Sequence, residues 1–192
     1  MCIAYVMPLH RNPIIPAGIH TAMALSYLKN HEPRQEKDIL GQEPALKELN
    51  DFLTNFKSQK KRGILIYGPP GCGKTASAVV LSRKYNLELV EVNASDHRNA
   101  KEIEERVGQA VKNQSLFFKG KLILIDEVDS IAGNEDRGGL GAIKEIVDTS
   151  PYPVILTAND IWDNKFSQLR NATKMVKFQD PDTQQIAKRL AG

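Results

Sequence analysis

The sequence predicts an α/β fold in which a parallel sheet lies between helical layers, and three observations predict it. A short apolar run, Ile64-Leu-Ile-Tyr67, passes at once into the glycine-rich turn Gly68-Pro-Pro-Gly-Cys-Gly-Lys-Thr75 and then into a helical pattern. Further strand-like runs at 87–92, 121–125, 153–157 and 174–178 alternate with segments of helical period. The polar stretches after the first, third and fourth runs then fall on one rim, at the carboxyl ends of parallel strands, where such sheets bind ligands.

Each element has its own reason. Residues 1–26 carry Pro8, Pro13, Pro16 and Gly18 with no sustained period, and read as irregular or disordered. Leu46, Leu49, Leu53 and Phe56 recur at three- and four-residue spacing and predict a helix, whose basic end at 57–62 is a solvated helix terminus. Ala76, Ala78, Val79, Val80 and Leu81 predict a helix packed on the sheet directly after the turn. In the second strand, 87–92, Leu87, Leu89 and Val90 stand against Glu88 and Glu91. A loop over 93–99 leads to a charged helix at 101–111 with Ile103, Val107, Ala110 and Val111 inward. The third strand, 121–125, is wholly apolar in its middle and ends in Asp126-Glu127-Val-Asp129. A polar loop at 133–139 precedes a helix at 140–147. The fourth strand, 153–157, ends in Ala158-Asn159-Asp160, a short fifth strand spans 174–178, and a last helix begins over 182–190.

Length and composition bound the answer. A chain of 192 residues, 41% hydrophobic and 26% charged, suits one domain with a real core, with or without an appendage. A net charge of +3 neither requires nor excludes a nucleic-acid partner, because a basic face can hide inside a near-neutral total. Two cysteines, Cys2 and Cys72, make no disulfide framework and imply a reducing, cytoplasmic setting. The four scattered histidines lack metal-ligand spacing, and no run approaches a membrane span. The apolar start has no basic residue before it and is broken by Pro8, unlike a signal peptide.

The chemistry concentrates at the glycine-rich turn. Residues 68–75 fit G-x-x-x-x-G-K-[ST], with a strand before and a helix after, which is the context that gives this motif its meaning. Glycines let successive N–H groups point at phosphate oxygens, and the helix N-terminus adds its positive end. Gly68, Pro69, Pro70, Gly71, Cys72, Gly73 and Ala76 form the cradle, Lys74 reaches the β/γ-phosphates, and the Thr75 hydroxyl binds Mg²⁺. The Cys72 thiol occupies a free position of the motif and need not take part in the chemistry. Asp126 is expected to hold Mg²⁺, directly or through water, and Glu127 to orient the water that attacks the γ-phosphate. Asn159 is placed to bond the γ-phosphate or that water, while Asp129 reads first as a loop or capping residue.

GPPGCGKT, LILIDEVD and TAND together resemble the AAA+ ATPases, and VNASDHRN with EDRGG narrows the likeness. With HEPR and DILGQ, the stretch from Tyr27 to Phe178 is similar to the large subunits of archaeal replication factor C, which load the sliding clamp. The resemblance implies a P-loop three-layer sandwich with five parallel strands in the order 5-1-4-3-2, residues 27–180 forming the ATPase domain. It implies ATP and Mg²⁺ as ligands, Lys74, Glu127 and Asn159 as catalytic residues, and Ile39, Leu40 and Gly41 at an adenine pocket. Helices starting near Asn99 and Gly138, with Arg137 and Gly139, would meet DNA phosphates without reading sequence. The implied partners are loader small subunits in a five-membered spiral, a PCNA-type sliding clamp and primer–template DNA.

Departures from the pattern are informative. Where small subunits carry Ser-Arg-Cys, this chain reads Leu169-Arg170-Asn171, which favours the large-subunit type. The family's Trp and Tyr-Arg-Pro stand here as Tyr27 and His31-Glu32-Pro33. Residues 181–192 correspond to the beginning of a helical lid, which is expected to be largely missing. Two other functions fit the ATPase motifs alone: a branch-migration or initiator ATPase of DNA metabolism, and a nucleotide-binding assembly module that does not hydrolyse. The NASD and DRGG stretches weigh against the first.

Overall fold

In a computed structural model of the chain, residues 33–95, 100–113, 117–131 and 137–181 are described. The expectations for 1–26, Tyr27, His31, Glu32, Asp96 to Asn99, the 133–136 loop and the helix from 182 onward lie outside those residues.

Five strands, β1 (Gly63–Tyr67), β2 (Leu87–Asn93), β3 (Gly120–Asp126), β4 (Val154–Ala158) and β5 (Thr173–Lys177), form one all-parallel sheet. Its order is β2-β3-β4-β1-β5, the expected order read from the other edge. Helices α1 (Glu43–Thr54), α2 (Lys74–Tyr85), α3 (Ala100–Lys112), α4 (Arg137–Thr149) and α5 (Ser167–Ala172) complete the three layers.

Side chains alternate across a strand, so each central strand feeds two cores. On one face Ile64, Ile66, Leu122, Leu124, Ile155 and Val176 pack with Leu46, Leu49 and Phe52 of α1 and with Ala78 and Leu81 of α2. On the other, Leu65, Ile123, Ile125, Val154 and Leu156 pack with Ile103 and Val107 of α3, Ile143 and Val147 of α4, and Leu169 of α5. Burial on both faces explains why β1, β3 and β4 read as unbroken apolar runs. Edge strand β2 is less covered; Leu87 and Leu89 face the first core, Val90 and Val92 the second.

Several boundaries differ from the sequence expectation. The first helix stops at Thr54, and Phe56 belongs to a separate 3-10 turn, Phe56–Ser58; Phe52, outside the expected set, is fully buried. The helix expected over 140–147 runs from Arg137 to Thr149, so Arg137, Gly138 and Gly139 form its first turn and not a loop. Glycines disguise that turn because their helix propensity is poor, and burial of Ile143, Ile146 and Val147 overrides the local preference. The fifth strand sits one residue earlier than expected, with Phe178 beyond it, fully buried.

Candidate functional site

The rim at the carboxyl ends of β1, β3 and β4 carries the site. Leaving β1, the chain passes Gly68 at φ +155, where a Cβ would lie 2.3 Å from the carbonyl oxygen of Phe178, so only glycine fits between the turn and the exit of β5. Gly73 closes the turn at φ +95 in the left-handed region and caps α2. Lys74 is the first residue of that helix and is 9% exposed. Its ammonium donates to Gly68 O at 2.8 Å, Pro69 O at 2.9 Å and Asn159 Oδ1 at 2.9 Å. The lysine of the turn and the asparagine after β4 are thus in direct contact.

The next residue reaches the third strand. Thr75 Oγ1 donates to both oxygens of the Asp126 carboxylate, at 2.9 and 3.0 Å. Glu127 follows in a left-handed conformation, φ 56 and ψ 46, uncommon for a non-glycine residue and costing of order 1–3 kcal/mol. The turn departs sharply from the strand direction at the position expected to handle water. The Glu127 N–H donates to Thr157 Oγ1 at 3.0 Å, and the same hydroxyl donates to the Asp126 carboxylate. Thr157 is 1% exposed in β4, behind the acidic pair. In the sequence it appears only as the first residue of TAND, with no role of its own, because a threonine in a strand reads as an ordinary β-former.

Asp129 has more to do than end a loop. Its Oδ2 accepts from the backbone N–H of Asn159 at 2.9 Å and of Asp160 at 3.4 Å, fixing the start of the loop after β4. Its Oδ1 is buried without a hydrogen-bond partner. Burial, and then the negative charge of Asp126, push the Glu91 carboxyl above the usual carboxylate range.

The remaining candidates fall in three places. Ile39 is buried and its Cγ2 lies 3.0 Å from where a Cβ on Gly73 would stand, so the 39–41 loop rests on the glycine-rich turn. Leu40 is half-buried, and Gly41 has φ 73. Cys72 is buried in the α1–α2 core; burial raises its thiol pKa, and the Lys74 charge offsets part of the rise. Gly138 is exposed and Gly139 buried in the first turn of α4, whose N-terminus lies at the rim side of the sheet; Asn99 is outside the described residues. Arg170, in place of the small-subunit finger, turns back on its own loop, with Nη1 bonded to the carbonyls of Ile161 and, at 2.8 Å, Asp163.

The oxygen donors suit magnesium. Among the described residues no group of three or more His, Cys, Asp or Glu could hold a metal by itself. Mg²⁺ does not need such a cage; it keeps waters and takes one or two protein oxygens besides substrate phosphates. A threonine hydroxyl touching one carboxylate, beside a buried lysine at a helix N-terminus, is that kind of partial shell.

The model of the ATPase family associated with various cellular activities (AAA) matches residues 64–179. The replication factor C large subunit of Nanoarchaeum equitans is 46% identical over 149 residues, covering 77% of this chain and 35% of that protein. The protein of the same name from Staphylothermus marinus is 40% identical over 156 residues, 80% of this chain and 37% of that one. From Sulfolobus acidocaldarius the figures are 41% over 159 residues, 81% and 36%. The chain therefore spans little more than a third of the length of these relatives.

Proposed function

The chain belongs to the AAA ATPase family, and from that premise we propose that it binds and hydrolyses ATP as a subunit of a sliding-clamp loader at primer–template DNA. The observation that carries the ATPase reading is the contact of both turn residues with the other strand ends: Lys74 with Asn159, and Thr75 with Asp126. The loader role is supported by similarity to proteins named replication factor C large subunits.

In this reading the backbone of 68–76 surrounds the triphosphate and the α2 N-terminus faces its negative charge. Lys74 pairs with the β/γ-oxygens, Thr75 and Asp126 hold Mg²⁺, and Ile39, Leu40 and Gly41 border the adenine. The metal, when bound, supplies charge neutralisation across the β- and γ-phosphates. Glu127 accepts a hydrogen bond from the attacking water. The water oxygen bonds to the γ-phosphorus as the bond to the β–γ bridging oxygen breaks, leaving ADP and phosphate. Asn159, held by Asp129 from behind, keeps the γ-phosphate side of the site aligned with Lys74. A neighbouring subunit would add an arginine, worth on the order of 10³–10⁵ in rate; Arg170 of this chain, spent on its own carbonyls, is no such donor to others. The first turns of α3 and α4, with Asn99, Arg137, Gly138 and Gly139, would follow DNA phosphates, and small subunits and a PCNA-type clamp would complete the assembly.

Paired variants test the roles. Lys74→Ala should abolish ATP binding, whereas Glu127→Gln should bind ATP normally and lose hydrolysis. Equal loss of affinity in both would refute the assignment. Clamp loading onto primed DNA by this chain with small subunits, dependent on Glu127, tests the assembly; loading unaffected by Glu127→Gln would refute the loader role of this site.

A further inference from the structure

We propose that Gln42 is a positioning residue that couples the nucleotide-binding loops to the backbone leaving β5, so that nucleotide on those loops sets the course of residues 178–180. The proposal rests on the nucleotide reading above. Gln42 is a polar side chain only 1% exposed, and both ends of its amide are engaged by a single distant residue. Its Nε2 donates to the carbonyl of Gln179 at 2.6 Å, and its Oε1 accepts from the Gln179 N–H at 3.1 Å. The side-chain amide thereby acts as one more strand rung just past Lys177, the last residue of β5.

The position of Gln42 makes this an unusual use of the group. Gln42 is the N-cap of α1, and its own carbonyl accepts from the Leu46 N–H at 2.8 Å. An N-cap side chain ordinarily turns back to bond an N–H of the first helical turn. Here it makes no capping bond and reaches across to Gln179 instead. The residue just before it, Gly41, ends the 39–41 loop that rests through Ile39 on Gly73.

A second grip acts on the same backbone from the phosphate side. The Phe178 N–H donates to Tyr67 O at 2.8 Å, and the Phe178 carbonyl lies against Gly68 so closely that no Cβ fits. Gly68 is also a carbonyl partner of Lys74. Two consecutive residues, Phe178 and Gln179, are thus held between the turn that receives phosphates and the loop that borders the base. A shift of either loop on nucleotide binding must be absorbed there, since the buried amide loses its partners if it does not follow. By linkage, whatever pins this exit tightens nucleotide by the same factor.

Hydrogen exchange of the 192-residue chain, with and without saturating Mg-ADP, tests the coupling. In the wild type Mg-ADP should slow exchange at the Phe178, Gln179 and Asp180 amides by roughly fivefold or more, the equilibrium worth of a buried hydrogen bond. Gln42→Ala should still bind Mg-ADP and should lose most of that protection. Gln42→Met keeps the side-chain length and volume, adds no buried charge and loses both hydrogen bonds to Gln179, and should likewise lose most of that protection; should Gln42→Ala not fold, it decides alone. Protection in the wild type that both variants retain, or Mg-ADP binding with no protection at Gln179, overturns the coupling while leaving the nucleotide site standing. A wild type that binds no Mg-ADP overturns both.

Discussion

Replacing Thr157 by valine isolates the hydroxyl that stands behind the acidic pair. Valine fills the same volume, so no cavity opens, and the loss is one of hydrogen bonds. The hydroxyl donates to the Asp126 carboxylate and accepts from the Glu127 N–H, within a residue that is 1% exposed. A hydrogen bond to a charged group contributes about 1.5–3 kcal/mol net, and an unpaired buried N–H costs about 1–3 kcal/mol. The two losses share one neighbourhood and do not add fully, so about 2–4 kcal/mol is expected. For a chain of this size that lowers Tm by roughly 5–15 °C. Thr157→Ser keeps the hydroxyl, loses one methyl and should cost only about 1 kcal/mol. Because Glu127 loses its backbone anchor, ATP turnover in the valine variant should fall by about 10- to 100-fold, with ATP affinity changed far less. Thermal melts without metal and a phosphate-release assay read the two effects. A valine variant that melts within about 2 °C of wild type and turns over ATP at the wild-type rate would refute the reasoning.

Other outcomes follow from neighbouring features. Gly68→Ala places a Cβ 2.3 Å from the Phe178 carbonyl oxygen; the backbone must part, and denaturant unfolding should show a loss of about 2–4 kcal/mol, while a loss too small to measure would show that the two backbones separate freely. Cys72 is buried and its thiol pKa lies above the ordinary value, so thiolate forms only at higher pH. Iodoacetamide should therefore label Cys72 far more slowly in the native protein than in urea, and equal rates in peptide mapping would contradict this. Arg137→Ala should leave ATP affinity alone and shrink the slope of log DNA affinity against log salt by roughly one unit; an unchanged slope would make Arg137 an ordinary surface charge.

The sheet was legible because it is buried on both faces. Continuous apolar runs such as 121–125 need no periodicity to be recognised, and the strand order followed from the family likeness rather than from any run of residues. Lys74, Thr75, Asp126, Glu127 and Asn159 stood out because their spacing or their place at a strand end has a chemical meaning. Thr157, Asp129 and Gln42 lie within TAND, LILIDEVD and DILGQ, but their bonding roles were not legible, since their partners are 30 or more positions away: Glu127 for Thr157, Asn159 for Asp129, Gln179 for Gln42. Long-range hydrogen bonds leave no local signature. The start of α4 was hidden from the residue pattern, though the family likeness implied a helix starting near Gly138, because Gly138 and Gly139 are poor helix formers and only tertiary burial of the following turns pays for them.

The placement of β1 between β4 and β5 has a consequence for how the protein is made. Residues 63–67 leave the ribosome before the strands that flank them, which lie roughly 90 and 110 residues later in the chain. Until β4 has been synthesised this apolar strand has two open edges, and until Lys177 it keeps one, a template for association with other nascent chains. The glycine-rich turn hangs from the end of that strand, so it is translated before those flanking strands and acquires its final shape last. Nucleotide can therefore assist only the closing steps of folding, and the earlier interval is one in which chaperone protection of the chain matters most.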